Sequence, residues 1–229
     1  MRKQQEVWQQ EHEKTNSIPS LSSSEPARGV MEFIEFLRNK GIQSGKAIDI
    51  GCGKGRNTVY LAKSGFETYG IDYIPTAIGM ARQLAEKNGV AQRVKLKMAE
   101  IDKPWPFEDE FFDVAIDSYS SIDIETLQGR QIYRDEMLRT LKNGGYARVM
   151  VVSARDEIES EFIKSKPGSE KNSVIWPNGK FQKDYDNEEL REFYKKFNII
   201  ELKEVKGRAA KLGREYIATN YWMILQKKH

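Results

Sequence analysis

The stretch Asp49-Ile50-Gly51-Cys52-Gly53-Lys54-Gly55 constrains this chain more than any other. Ala47, Ile48 and Ile50 read as a short buried strand, and alternate glycines then make a turn. Glycine tolerates positive φ and carries no Cβ, so the backbone of such a turn can meet a ligand closely. Arg56-Asn57 opens a helix, whose first N–H groups are unpaired and face the turn. Strand, glycine turn and helix in this order form a cradle, and the question becomes which ligand lies in it.

The rest of the chain repeats the alternation. Glu25-Pro26 opens a helix in which Val30, Phe33, Ile34 and Leu37 share one face, and Gly41 stops it. Phe66 to Ile71 reads as a second strand closed by Asp72. Pro75 begins a helix that ends at Gly89, Val94 to Met98 alternates as a strand, and Phe111 to Asp117 is a fourth strand. A helix follows over residues 124–141, and Asn143-Gly144-Gly145 turns the chain into a fifth strand, Tyr146 to Ser153. The spacing predicts an α/β fold with a mainly parallel sheet, helices on both faces and right-handed crossovers. Residues 154–186 break the pattern, being charged and turn-rich, and a segment this long reads as a lid or partly disordered. A helix from Asn187 and strands at 197–205 and 215–226 close the chain as an antiparallel hairpin at the sheet edge.

Composition narrows the function classes. The 37 Lys and Arg balance 34 Asp and Glu to a net charge of +3, which is no footprint of a dedicated nucleic-acid binder. No apolar run reaches membrane-spanning length, and the polar N-terminus lacks the apolar segment of a secretion signal. The single cysteine, Cys52, rules out an intramolecular disulfide and a cysteine-cluster metal site. These features make the cytoplasm the expected compartment, with no metal and no membrane. The only histidines are His12, read as a solvated surface residue, and the terminal His229.

Two common ligands fail at the turn. The dinucleotide fingerprint needs a third glycine where Arg56 stands, and a phosphate loop needs Gly-Lys-Ser/Thr. The Asp-x-Gly-x-Gly-x-Gly spacing instead resembles the first motif of the class I S-adenosylmethionine-dependent methyltransferases. Gly70-Ile71-Asp72, Ala99-Glu100-Ile101 ahead of Trp105-Pro106-Phe107, Asp117, and Leu141 to Tyr146 resemble later motifs in the same order. The likeness is strong over roughly residues 30–150. Gly-Arg-Asn after the turn and Asn-Glu-Glu-Leu-Arg-Glu-Phe-Tyr near the end are more loosely similar to the tellurite-resistance and thiopurine-type small-molecule enzymes.

The resemblance implies a Rossmann-like seven-stranded, mostly parallel sheet with an antiparallel edge strand. It implies S-adenosyl-L-methionine as cofactor and S-adenosyl-L-homocysteine as product. The implied cofactor residues are Asp49, Gly51, Cys52, Gly53 and Asn57 at the turn, Asp72, Tyr73 and Ile74 beside ribose and adenine, Glu100 and Ile101 at the adenine, and Asp117. For Asp49 a turn-stabilising role stands equally open, and Cys52 reads as a small buried filler. Asp102 competes with Glu100, which its spacing to Pro106-Phe107 favours.

Tyr119 and Asp123, just after strand four, are the candidates to orient or deprotonate an acceptor, and capping competes for Asp123. Residues 1–24 are expected as an arm over a methyltransferase domain of residues 25–229, with 154–186 as a substrate-covering insertion. Trp8, Trp176, Tyr185 and Tyr119 are the expected acceptor walls. The reading is methyl transfer to a small-molecule acceptor by a monomer or homodimer. An RNA or protein methyltransferase and a non-catalytic cofactor-binding module remain the alternatives.

Overall fold

The computed structural model describes residues 3–13, 23 and 25–228. His229 lies outside them, as do residues 1–2, 14–22 and 24 of the expected arm. Seven strands form one sheet: β1 Gly45–Ile50, β2 Phe66–Asp72, β3 Val94–Met98, β4 Phe112–Ser118, β5 Leu141–Val152, β8 Phe197–Lys211 and β9 Arg214–Lys227. Their order is β3-β2-β1-β4-β5-β9-β8, with β1 to β5 parallel and β9 antiparallel to both β5 and β8. The expected Rossmann-like sheet is therefore present, and its antiparallel strand lies one place in from the edge.

The central strands are buried on both faces, which explains their continuous apolar runs. Alternate residues feed two cores. Ala47, Val114, Ile116 and Met150 pack with Val30, Phe33, Ile34 and Leu37 of α2 (Arg28–Asn39) and Leu61 of α3 (Arg56–Lys63). Ile48, Ile50, Ala115, Val149 and Val151 pack on the other side with Tyr133 and Met137 of α5 (Leu127–Thr140) and Leu190 of α7 (Asn187–Phe193). Between α3 and α5 in the chain, α4 (Pro75–Lys87) completes the crossover from β2 to β3.

The chain runs β1-β2-β3 towards one edge, then returns to place β4 on the other side of β1. This reversal opens a crevice between the carboxyl ends of β1 and β4, where Ile50 is in register with Asp117. Sheets of this type bind ligands at such a switch point.

Two elements differ from the sequence reading. Residues 154–186 hold α6 (Glu157–Ser165) and a two-stranded sheet of β6 (Ser173–Ile175) and β7 (Phe181–Lys183), around a small core of Ile158, Val174 and Trp176. The segment has few apolar residues, but they converge. The closing strands are also longer than expected, and pair continuously to Lys211 and Arg214. Leu212 and Gly213 have φ of 53° and 75°, the left-handed pair that a two-residue hairpin turn demands. Only Asn220 to Gln226 of β9 pair with β5, so the outer half of the hairpin projects past the carboxyl edge of the sheet.

Residues 3–13 form a helix, α1 (Lys3–Glu13), whose only large apolar side chains are Val7 and Trp8. Side-chain amides attach it. The Gln4 amide donates to the Phe181 carbonyl at 3.0 Å and its oxygen accepts the Phe181 N–H at 3.1 Å. The Gln5 amide donates to the Tyr73 carbonyl at 2.9 Å.

Candidate active site

The glycine turn occupies the mouth of the crevice. Gly51 has φ of 67°, and a Cβ there would lie 2.3 Å from the Ser120 Cβ, so the close approach of β1 to the loop after β4 demands glycine. Gly53 has φ of 52°, and among the described residues a Cβ there would meet only one ring atom of His12, at 3.6 Å. A ligand can therefore lie on its backbone.

Three buried carboxylates organise this end. Asp72 accepts the Gly53 N–H through one oxygen and the Ile74 N–H through the other, each at 2.9 Å, and it borders the cavity. Burial raises its pKa, and the backbone bonds oppose that rise. Asp49 points away from the cavity and accepts the Thr58 hydroxyl at 2.6 Å. This supports the turn-stabilising role over direct cofactor contact. Asp117 is likewise sealed off: it accepts the Ser120 N–H at 2.8 Å and the Tyr133 hydroxyl at 2.8 Å, and it holds the loop that carries Tyr119.

The cavity measures about 580 Å³. At the turn end it is bordered by Gly51, Cys52, Gly53, Asn57, Asp72, Tyr73, Ile74, Glu100, Ile101 and Asp102, so the sequence-predicted cofactor residues converge apart from Asp49 and Asp117. Cys52 is buried, which holds its thiol in the protonated form, and packs against Gly70, as expected of a filler. The Asn57 side-chain oxygen accepts the Ala27 N–H at 2.9 Å, which fixes the start of α2 to the turn.

At the other end stand Tyr119 and Asp123. Tyr119 has φ of 69°, a strained conformation for a bulky residue. Asp123 ends a short 3-10 turn and faces the Lys180 ammonium at 3.5 Å. Burial raises the Asp123 pKa to about 6, against the opposing pull of Lys180. The Lys180 ammonium also lies 4.8 Å from the Trp8 ring centre, so α1, the 3-10 turn and the insertion meet here.

Some expectations need correction. Trp176 and Tyr185 do not border the cavity. Trp176 packs on Phe162 at 4.5 Å and under the Lys211 ammonium at 3.7 Å, and Tyr185 belongs to the main core beside Phe193. Trp176 thus serves the insertion's own packing, and Tyr185 joins the insertion to the main core. Nor is His12 a solvated surface residue, since it is 4 % exposed and borders the cavity. Sequence reasoning missed Gln4, Lys180, Arg208 and Tyr216, which also border it. The i, i+4, i+8 spacing of Gln4, Trp8 and His12 was the available signal. Nothing local marked the hairpin residues, because their place depends on how far the hairpin overhangs the sheet.

A family described as "Methyltransferase domain" matches residues 43–206. The chain is 29% identical over 135 residues to 2-heptyl-1-hydroxyquinolin-4(1H)-one methyltransferase of Mycobacteroides abscessus, an alignment covering 58% of this chain and 56% of that protein. The chain thus spans little more than half the length of that relative. Among solved structures, a S-adenosylmethionine-dependent methyltransferase of Methanosarcina mazei superposes with a TM-score of 0.74 at 21% identity, over 84% of this chain and 97% of that one. The 1,6-didemethyltoxoflavin-N1-methyltransferase of Burkholderia thailandensis, solved with bound 1,6-didemethyltoxoflavin and S-adenosylhomocysteine, superposes with a TM-score of 0.63 at 16% identity, over 88% of this chain and 79% of that one. The chain belongs to the methyltransferase-domain family. The ligand of the Burkholderia neighbour, S-adenosylhomocysteine, is what S-adenosylmethionine becomes on losing its methyl group. The cavity suits such a ligand, with an open glycine backbone at Gly53 beside the two-oxygen acceptor of Asp72.

Proposed function

We propose that the protein transfers a methyl group from S-adenosylmethionine to a small-molecule acceptor. One observation carries this reading: a single cavity joins the glycine turn and Asp72 to Tyr119 and Asp123, under a roof made by α1 and the β8–β9 hairpin. A roofed space of this size suits a compact acceptor, whereas a folded RNA or protein needs an open groove. The M. abscessus relative, named for a quinolone acceptor, supports the same class.

The bound cofactor supplies an electrophilic methyl on a sulfonium, and its leaving thioether is neutral. The protein's task is alignment and exclusion of water. The Gly51–Gly53 backbone and Asp72 hold the donor, with Glu100 and Ile101 at its adenine. Tyr119 orients the acceptor, and Asp123 receives its proton at a carboxylate oxygen. In this scheme α1 and residues 154–186 cover the reaction, with Trp8 as the aromatic wall.

Calorimetry with S-adenosylhomocysteine, followed by a screen for its release across small-molecule, RNA and protein pools, tests the reading. Asp72→Ala is expected to weaken binding by about tenfold, from loss of a charge-assisted hydrogen bond. Wild-type protein that binds no S-adenosylhomocysteine would sink the cofactor assignment. Turnover confined to RNA or protein pools would sink the small-molecule one.

A further inference from the structure

The two ends of the cavity account for the glycine turn, Asp72, Tyr119 and Asp123, but leave His12 without a role. Its ring comes from α1, borders the cavity and is 4 % exposed. Its Nδ1 is buried with no hydrogen-bond partner among the described residues. An unpaired buried polar atom costs about 1–3 kcal/mol, so its place against a ligand cavity calls for a ligand.

Position decides which ligand. Among the described residues, the Cε1 of His12 is the one atom within 4 Å of where a Cβ on Gly53 would lie, at 3.6 Å, and the Gly53 N–H is held by Asp72. His12 therefore faces the turn. Tyr119 and Asp123, at the acceptor end, stand on the loop after β4. Trp8 and Gln4 occupy the two preceding helical turns on the same face of α1, and Gln4 is fixed to Phe181. The helix thus spans the cavity, with His12 towards the donor end. The ring is neutral at pH 7, since burial and then Lys54 lower its pKa to about 4 against the opposing charge of Glu11. A neutral imidazole can donate or accept at Nδ1.

We propose that His12 is a cofactor-binding residue, whose Nδ1 hydrogen bonds to the ribose–amino-acid half of the cofactor, so that the His12 end of α1 closes on the donor. This rests on the S-adenosylmethionine reading. The adenine is left to Glu100, Ile101 and the segment after β2.

The chain has two histidines, so its imidazole Cε1–H signals can be followed by NMR in the full-length protein, with His12→Asn making the assignment. S-adenosylhomocysteine is expected to shift the His12 signal and leave that of His229 in place. His12→Leu is expected to weaken S-adenosylhomocysteine binding by about tenfold, the loss of one hydrogen bond to a charged or strongly polar group. His12→Asn, whose amide reaches the position of Nδ1, is expected to restore most of the affinity, and His12→Gln, which mimics the other ring nitrogen, much less. Unfolding curves establish that the variants are folded. A His12 signal that stays in place while wild-type protein binds, or equal affinity of wild type and His12→Leu, would overturn the assignment. Wild-type protein that fails to bind would instead remove the cofactor reading on which it stands.

Discussion

The indole N–H of Trp222 donates to the phenol oxygen of Tyr119 at 3.1 Å, tying β9 to the strained residue that follows β4. The guanidinium carbons of Arg28 and Arg148 lie 4.8 and 5.0 Å from the Trp222 ring centre and help to fix the indole. The strain at Tyr119 is thus maintained from behind by a side chain outside the cavity. Trp222→Phe keeps the ring and loses the donor. Turnover is expected to fall by roughly tenfold, because small displacements at a reacting centre are costly. S-adenosylhomocysteine affinity is expected to stay within about twofold, since Trp222 does not border the cavity and the Tyr119 backbone keeps its own hydrogen bond to Met150. Steady-state kinetics and calorimetry on the same preparation separate the two effects.

That division reflects what was legible from residues alone. The alternation of strands and helices, the glycine turn, and the acids closing β2 and β4 are local signals, and the switch point follows from them. Asp49 and Asp117 show the limit: a carboxylate at a strand end reads the same whether it faces a ligand or a neighbouring hydroxyl. Trp176 shows another, because a large aromatic in a polar insertion signals burial without saying against what. Tyr216 and Arg208 reach the cavity through a hairpin whose overhang is fixed by the turn at Leu212-Gly213 and by how far β5 extends. No short stretch encodes that relation.

Asp49 makes the protein's stability respond to pH. Burial raises its pKa to about 7, the Thr58 hydroxyl opposes that rise, and the charges of Asp117 and Asp72 add to it. The folded state therefore binds this proton more tightly than the unfolded chain does. Stability from this group is highest in acid and declines as pH rises from about 4 to about 7, then levels off. Asp49→Asn removes the titration. Urea midpoints of the wild type are expected to fall more steeply between pH 5 and pH 8 than those of the variant, and the difference between the curves isolates Asp49 from Asp72 and Asp123.

Two tryptophans should behave oppositely. Trp176 fills the small core of the insertion against Phe162. Trp176→Ala is expected to cost about 3–5 kcal/mol of stability through the cavity it leaves, which urea unfolding measures. Trp8 stands on the polar α1 and borders the cavity. Trp8→Ala is expected to leave stability within about 1 kcal/mol, as for exposed or half-buried substitutions, and to raise the acceptor KM. A large stability loss at Trp8 with an unchanged KM would remove it from the acceptor wall.

Asp123 supplies the most specific test of the chemistry. Its carboxyl titrates near pH 6 because burial disfavours the charge and the Lys180 ammonium 3.5 Å away only partly compensates. A base must be ionised to accept a proton, so turnover of an acceptor that is protonated at working pH should rise with pH through about 6 and then level off. Lys180→Met removes the opposing cation, so the Asp123 pKa rises and the acid limb moves to higher pH, in the opposite direction from the effect of exposing the group. Asp123→Asn is expected to flatten the limb and lower turnover by about 10²–10⁴-fold, the usual contribution of a general base. The three pH profiles must be measured with one acceptor at saturating cofactor. A wild-type profile with no inflection near 6, or a limb that stays in place in Lys180→Met, would show that Asp123 takes no proton and would leave alignment by Tyr119 as the protein's contribution at the acceptor.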